Sequence, residues 1–440
     1  TVISLLLFAL AIFLIGKKEI GKTNAAIAGL MFVTSSRILF WDSFQGLIDI
    51  TYSLVTFCSF AALYVFSEKR KFLLLFAVSY LLTAIGYLMK GLPSLAFQAI
   101  SVVVWLGFIK EIRKLFSWQH LVGIGVFLLV TGLYYYAYLQ TNSLQDVFST
   151  LFDQSNRIKD KEGTILSWTI HLFKFPLDLG YEFAPWTVLL LLLFNKEVRG
   201  KTMSAKFLQF CLLIFASNII IYWISADMRP RYLFMLVPLL FLIAAKAYHE
   251  SQKVEARLFR MIDLTLQIFA FIGSFSILYY LFWSETNQMS GVWIYIPLLF
   301  IVSVLAAYFS LKMKDYRLLF ILIVLLCVRI SFNLFNLPAR YNSYPDATYR
   351  QDEIMAGRLT GDYDLFILGD TPVNHDASFY ITRERKQILT RTSEIKQKPA
   401  FYLTDKKNLA NFADRLVNYK IYKKFTIKLM ETELYLIKSE

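Results

Sequence analysis

Asp49 opens an apolar stretch in Gly46-Leu-Ile-Asp-Ile-Thr-Tyr-Ser-Leu54, and a carboxylate at the edge of hydrocarbon sequence is costly enough to be a functional candidate. An ionised carboxylate there suits general-base work on an acceptor hydroxyl, and a helix N-cap is the plainer alternative. Asp42, seven residues earlier, is the second candidate catalytic acid, read otherwise as a solvated loop carboxylate. Lys90 sits in Tyr87-Leu-Met-Lys-Gly-Leu-Pro-Ser94, where Gly91 and Pro93 predict a tight turn that fixes its backbone. Its ammonium either holds a lipid phosphate or snorkels to the interface. The segment Asp227-Met-Arg-Pro-Arg-Tyr-Leu-Phe-Met-Leu-Val-Pro238 adds Arg229 and Arg231, whose guanidiniums offer paired donors to phosphate oxygens, and the Tyr232 hydroxyl. Alone these read as interfacial anchors; with Lys90 and Arg157 they form a cationic set suited to an anionic lipid head group.

The elements that must position these side chains are long apolar blocks. The chain of 440 residues is 57% hydrophobic and 18% charged, with a mean hydropathy of +0.51, and the excess lies in blocks rather than being spread evenly. Soluble domains average about 25% charged, so the composition is that of a polytopic membrane protein. About twelve spans are expected at 2–16, 24–40, 48–66, 72–89, 93–109, 119–139, 183–195, 206–225, 231–247, 262–283, 292–311 and 317–336. The seventh is short, and Phe173 to Tyr181 is the stretch that could complete it. Cys58, Cys211 and Cys327 all fall inside blocks, which predicts small apolar packing residues and no disulfide framework.

The connecting loops alternate in basic content, 20 Lys and Arg in one set against 7 in the other. The basic set includes Lys69 to Lys71, Lys246 to Arg260 and Lys312 to Arg317, and the positive-inside rule places it on the cytoplasmic side. The net charge of +14 is then a record of topology and calls for no nucleic-acid partner. Residues 41–47, 90–92, 140–182, 226–230 and 284–291, and everything from Leu337, are expected outside. On that assignment Thr1 also lies outside, directly before hydrocarbon sequence, without an initiator Met, basic leader or small-residue cleavage site. The reading therefore expects an upstream span and outside loop, about thirteen spans in a complete chain.

The long outside loop 140–182 holds two amphipathic stretches, Leu144 to Leu151 and Trp168 to Phe175, which suit a lid over a lipid-fed site or passive interfacial helices. His171 reads as a structural histidine. Residues 337–440 change character, with 17 Lys and Arg against 14 Asp and Glu. Short apolar runs at Tyr363–Leu368, Gln387–Thr390, Ala400–Leu403, Tyr419–Ile427 and Glu433–Ile437 predict strands, and Thr404 and Asp405 predict a cap for a helix with Leu409, Phe412, Leu416 and Val417 on its apolar face. This second domain, 337–440 after a membrane domain 1–336, carries no phosphate loop, metal-spaced His pair or nucleophile elbow. The fold class expected is an all-α polytopic membrane domain with a small soluble α/β domain behind it.

The order of these features resembles the bacterial dolichyl-phosphate-mannose protein mannosyltransferase-like family, GT-C fold glycosyltransferases related to the lipid A aminoarabinose transferase. The likeness runs over most of 1–336: the Asp before an early span, Lys-Gly-x-Pro after the next, the loop arginine, Ala184-Pro-Trp186, and Arg-Tyr-Leu before a proline. Ser378-Phe-Tyr-Ile-Thr-Arg383 fits in the tail. The resemblance implies a sugar transferase using a polyprenyl-phosphate-linked donor at the outer face of the bacterial inner membrane, with inversion at the sugar carbon and a lipid, glycan or protein acceptor. It implies that Asp49 matches an active-site acid, Lys90 the family lysine, and Arg157, Arg231 and Tyr232 the donor-phosphate positions. The family's main catalytic acid lies in the first outside loop, which this reading expects to precede Thr1.

Two other classes compete. A secondary transporter also has about twelve spans, but it concentrates charges near the bilayer centre, where here only Arg329 is seen well inside a block. A non-catalytic envelope scaffold would be indifferent to Asp49 and Lys90. No organic cofactor motif is visible, and a divalent metal is left open because no ligand set has recognisable spacing.

Overall fold

In the computed structural model, residues 2–140, 165–224, 229–254, 257–286, 289–343, 345–361, 363–396, 398–416 and 418–439 are described. Apolar blocks become helices and charged runs become their turns: α1 Val2–Glu19, α2 Lys22–Val33, α3 Asp49–Glu68, α4 Phe72–Lys90, α5 Pro93–Phe108, α6 Trp118–Leu139, α7 Ile165–Glu182, α8 Lys196–Met203, α9 Lys206–Trp223, α10 Val237–Val254, α11 Arg257–Ser276, α12 Val292–Lys312 and α13 Arg317–Ser331. Seven helical stretches among the described residues are long and apolar enough to cross a membrane: α3, α4, α6, α9, Arg257–Leu281, α12 and Lys314–Asn342. The chain is a multi-pass membrane protein.

It divides into two compact units, residues 1–279 with 293–330, and residues 280–292 with 331–440. In the first, α1 and α3 run parallel: Ser4 meets Thr51 at one end (2.8 Å) and the Tyr64 hydroxyl donates to Glu19 at the other (3.1 Å). Phe8 packs on Phe32 and Phe57 with ring centroids 4.5 and 5.3 Å apart, so α1 is locked between α2 and α3 by aromatic contacts. α10 is buried along nearly its whole length. α6, by contrast, buries only Gly123 and Thr131 and turns a broad apolar face outward, as a lipid-facing helix does.

Three blocks depart from the expected boundaries. The 24–40 block is broken: α2 stops at Val33, where the Thr34 and Ser35 hydroxyls bond back to the carbonyls of Leu30 and Phe32, and Ile38–Asp42 forms a separate π-helical turn. The 183–195 block is a 3₁₀ helix, Trp186–Phe194, rising about 18 Å at about 2.0 Å per residue. Phe173 to Tyr181 does not extend it, since it belongs to α7. The 231–247 block begins its α-helix only at Val237, after a 3₁₀ turn Pro230–Leu233.

The second unit adds α14 Leu337–Asn342, α15 Asp346–Leu359, α16 His375–Arg385 and α17 Lys406–Asn411 to strands β1 Leu365–Leu368, β2 Thr390–Thr392, β3 Phe401–Thr404, β4 Tyr419–Thr426 and β5 Glu433–Ser439. The sheet order is β2-β1-β3-β5-β4, with β1 parallel to β2 and β3, and β5 antiparallel to β3 and β4. Both faces are covered, one by a cluster around Leu365, Leu403 and Leu436 and the other around Leu368, Tyr402 and Ile437. Four of the expected strands are present; the one expected at Gln387–Thr390 is displaced, β2 starting only at Thr390, and Asp405 caps α17 by accepting from the Asn408 amide at 2.8 Å. Beyond Asn411 the helix ends, so Leu416 reaches its cluster from a turn, and Val417 lies outside the described residues. The expected fold class, all-α in the membrane with a small α/β domain, is the one observed.

Candidate functional site

Asp49 is the first residue of α3, and Tyr52, one turn on, shares its face. The N-cap is Ile48, and the Asp49 carboxylate makes no capping bond. It points instead at two cations. Lys90 Nζ donates to Asp49 Oδ1, and Arg231 Nε lies 3.6 Å from the same oxygen. Lys90 is the last residue of α4; Gly91 follows at φ 75°, ψ −141°, a conformation open to glycine, and Pro93 restarts the chain as the first residue of α5. The expected turn is therefore formed, and it aims the lysine back across the start of α3. Arg231 arrives on the 3₁₀ turn before α10.

Two tyrosines box the ammonium. Lys90 Nζ is 5.1 Å from the Tyr52 ring centroid and 4.7 Å from that of Tyr232, and the Arg231 guanidinium is 5.7 Å from the same Tyr232 ring. Ser94 Oγ donates to the Tyr52 hydroxyl at 3.2 Å, which fixes that buried ring from behind. The Asp49 side chain is 7% exposed, while Lys90 and Arg231 keep 21% and 18%, so the acid is sealed in and the cations reach outward. Two positive charges on one carboxylate leave an excess of one, and the Arg231 Nε has no hydrogen-bond partner among the described residues. Such an arrangement can receive a phosphate: fixed N–H donors, charge excess and an aromatic collar.

Asp42 sits elsewhere in the same unit. It is 2% exposed, which corrects the solvated-loop reading, and Arg37 Nε donates to its Oδ2 at 2.5 Å. Arg37 also reaches Glu182 at the end of α7 (3.3 Å), where Ser36 holds the Glu182 carbonyl at 2.8 Å. Trp186 Nε1 donates to Thr34 Oγ1 (2.9 Å), so the segment after α2 and the segment after α7 are stitched together. Asp42 Oδ1 is buried without a hydrogen-bond partner among the described residues. The Arg329 guanidinium lies 5.9 Å from the ring of Phe44, between the two aspartates in sequence.

Of the candidates from sequence, Asp49, Lys90, Arg231 and Tyr232 are brought together; Asp42 forms the second cluster; Arg229 is exposed; Arg157 lies outside the described residues, as do Asp227 and Leu144 to Leu151. Missed were Tyr52, Ser94, Arg37 and Glu182. An arginine three residues from the end of the 24–40 block was a signal for Arg37, but nothing local announces a partner 145 residues away. Among the described residues no three His, Cys, Asp or Glu side chains converge as a metal-binding group.

The fold is one already seen in solved structures of a membrane protein. Two solved structures share it, both of ArnT from Cupriavidus metallidurans: one bound to undecaprenyl phosphate, at TM-score 0.64 and 16% identity over 99% of this chain and 82% of that one, and one in the apo state, at TM-score 0.60 and 15% identity over 99% and 83%. No protein-family model matches the chain, and no curated protein matches it in sequence.

Proposed function

We propose that the protein is a membrane glycosyltransferase that moves a sugar from a polyprenyl-phosphate donor to an acceptor hydroxyl or phosphate at the outer face of the bacterial inner membrane, with the tail on that same side. The observation that carries this reading is the Lys90–Arg231 pair held by Asp49 and collared by Tyr52 and Tyr232 where span helices end. The shared fold supports it, as does the undecaprenyl phosphate bound to one ArnT structure.

The donor phosphate sits against Lys90 and Arg231, with Tyr232 beside it. The acceptor oxygen attacks the sugar carbon from the face opposite the phosphate, the carbon–oxygen bond to phosphate breaks, and configuration inverts. The leaving polyprenyl phosphate gains a negative charge as it departs, and cations prepositioned there stabilise the transition state more than the bound donor. Asp49 is a positioning residue for both cations, in place of the general base that its sequence setting offered. The acceptor's proton leaves to a base; among this chain's described acids the candidate is Asp42, in its separate cluster, with one oxygen held by Arg37 and the other without a hydrogen-bond partner among the described residues.

The test supplies labelled polyprenyl-phosphate sugars to membranes containing the protein and follows label into acceptor. Asp49→Asn and Lys90→Ala should each abolish most transfer at equal expression. Undiminished transfer in both variants would sink the site, and solute uptake without donor consumption would put a transporter in its place.

A further inference from the structure

A cleft of about 410 Å³ opens at the end of the membrane unit remote from Asp49. The parallel run of α1 and α3 fixes which end this is: Ile20 to Asn24 follow Glu19, whose carboxylate meets Tyr64 near the far end of α3, about 22 Å of helix rise from Asp49. Its floor is apolar, built of Ile20, Ile27, Ala245 and Leu318, all buried. Its rim is polar, with Lys22 from the start of α2, Lys246 and His249 from α10, and Asp315 from the turn before α13.

The rim is positive on balance. Lys246 is bonded to Glu250 (2.7 Å), and Lys253 to the same carboxylate (3.2 Å), so two ammoniums share one acid. Lys22 is exposed and offsets Asp315. The Tyr248 hydroxyl is committed to Asp263 at 2.7 Å, and the Asn24 and Gln252 amides to backbone carbonyls, so the two lysines and the imidazole, with the hydroxyls of Thr23 and Tyr316, are the donors of the lip. This is also the end where the sequence concentrates Lys and Arg, the side on which membranes carry more anionic lipid.

We infer that this cleft binds a phosphate ester, with Lys22 and Lys246 on the phosphate oxygens. The apolar floor fits the glycerol and acyl end of a phospholipid, a ligand distinct from the sugar donor and bound in the opposite leaflet. A cleft of this size, apolar below and cationic at the lip, has the proportions of a small-molecule site.

The experiment is native mass spectrometry of the whole protein in mild detergent, titrated with phosphatidylglycerol, with diacylglycerol of the same chains, and with glycerol 3-phosphate. The expected result is retention of phosphatidylglycerol but not diacylglycerol, weakened at least tenfold by Lys22→Gln and by Lys246→Gln and unchanged by Lys71→Gln, a lysine at the same end outside the cleft. Lys22 is solvent-exposed, so its variant keeps the test independent of folding. Glycerol 3-phosphate binding with the same dependence on the two lysines would support the phosphate chemistry and make its source soluble. Equal retention of diacylglycerol, or equal affinity in all three variants, would overturn the inference.

Discussion

Asp49 and Asp263 are both buried carboxylates on apolar helices, each bonded to a cation from another element, and they differ in how completely they are satisfied. Asp263 on α11 accepts from the Tyr248 hydroxyl (2.7 Å), Gln267 (3.1 Å) and Arg317; Arg317 in turn donates from Nε to the Ser310 carbonyl at 2.7 Å. One cation meets one anion, both are almost wholly enclosed, and nothing is left over for a ligand. Asp49 meets two cations that keep part of their surface outward. A balanced, saturated pair is a clasp that ties the α12–α13 turn to α10 and α11, whereas a pair with surplus charge and an open side is what the proposed donor site requires of a receptor. Arg317 counts in sequence as one more basic loop residue, and only its burial reveals the clasp.

The comparison breaks most visibly at Arg317. Arg317→Met leaves Asp263 charged and unpaired in a low-dielectric interior, and should cost about 3–5 kcal/mol, seen as a large drop in the melting temperature of the detergent-solubilised protein. Adding Asp263→Asn should recover much of that loss, because the penalty comes from the orphaned charge. At the other cluster the sign of the effect moves from stability to chemistry. Lys90→Ala should lower sugar transfer by about 100-fold or more, the scale of removing one transition-state donor, while Arg231 still neutralises Asp49 and the melting temperature changes little. Equal losses of stability in the Arg317 and Lys90 variants would erase the distinction drawn between clasp and receptor.

A third buried carboxylate sharpens the contrast from the opposite direction. Glu353 on α15 has no cation bonded to it among the described residues, and its Oε1 is buried without a hydrogen-bond partner among them; burial, then Asp376 and Asp352, push its pKa up to about 7 from 4.5, against a smaller opposing pull from Arg350. The unfolded chain loses that proton near pH 4.5 and the folded one holds it to about 7, so the second unit should lose stability as pH rises through this window, by about 3 kcal/mol in full. Hydrogen exchange in α15 should therefore quicken between pH 5 and 8 beyond its intrinsic rate, and Glu353→Gln should flatten that dependence. The smallest expected effect belongs to Tyr232. Tyr232→Phe keeps the ring over Lys90 and should change transfer by less than about threefold, whereas Tyr232→Leu removes a cation–π contact worth about 1–2 kcal/mol. A large loss in the phenylalanine variant would move the hydroxyl into the chemistry.

What the sequence disclosed follows from the range of the forces involved. Charge at a span edge is a local anomaly, so Asp49, Lys90 and Arg231 stood out one by one, and the short apolar runs at Leu365, Phe401 and Leu434 marked strands. α15 and α16 went unread because Asp346–Leu359 and His375–Arg385 carry too few apolar residues for a clear period; they form against the sheet through Ala356, Ala377 and Ile381. Partnership was invisible wherever it spans the chain. Nothing near Arg37 points to Glu182, and nothing near Asp49 says that its two cations will come from Lys90 and from Arg231, far along the chain.

β4 forms one border of the five-stranded sheet, and its free side has no neighbouring strand among the described residues. It carries Lys420, Lys423 and Lys424 within eight residues. Lys423 is paired with Asp352 and Lys424 with Glu433, both at 2.8 Å, so this border is dressed with charged side chains and ion pairs that a second strand would have to displace, and the opposite border, β2, is three residues long and offers little to pair with. Copies crowded side by side in a membrane would thus keep their soluble portions apart, guarded against strand-by-strand self-association.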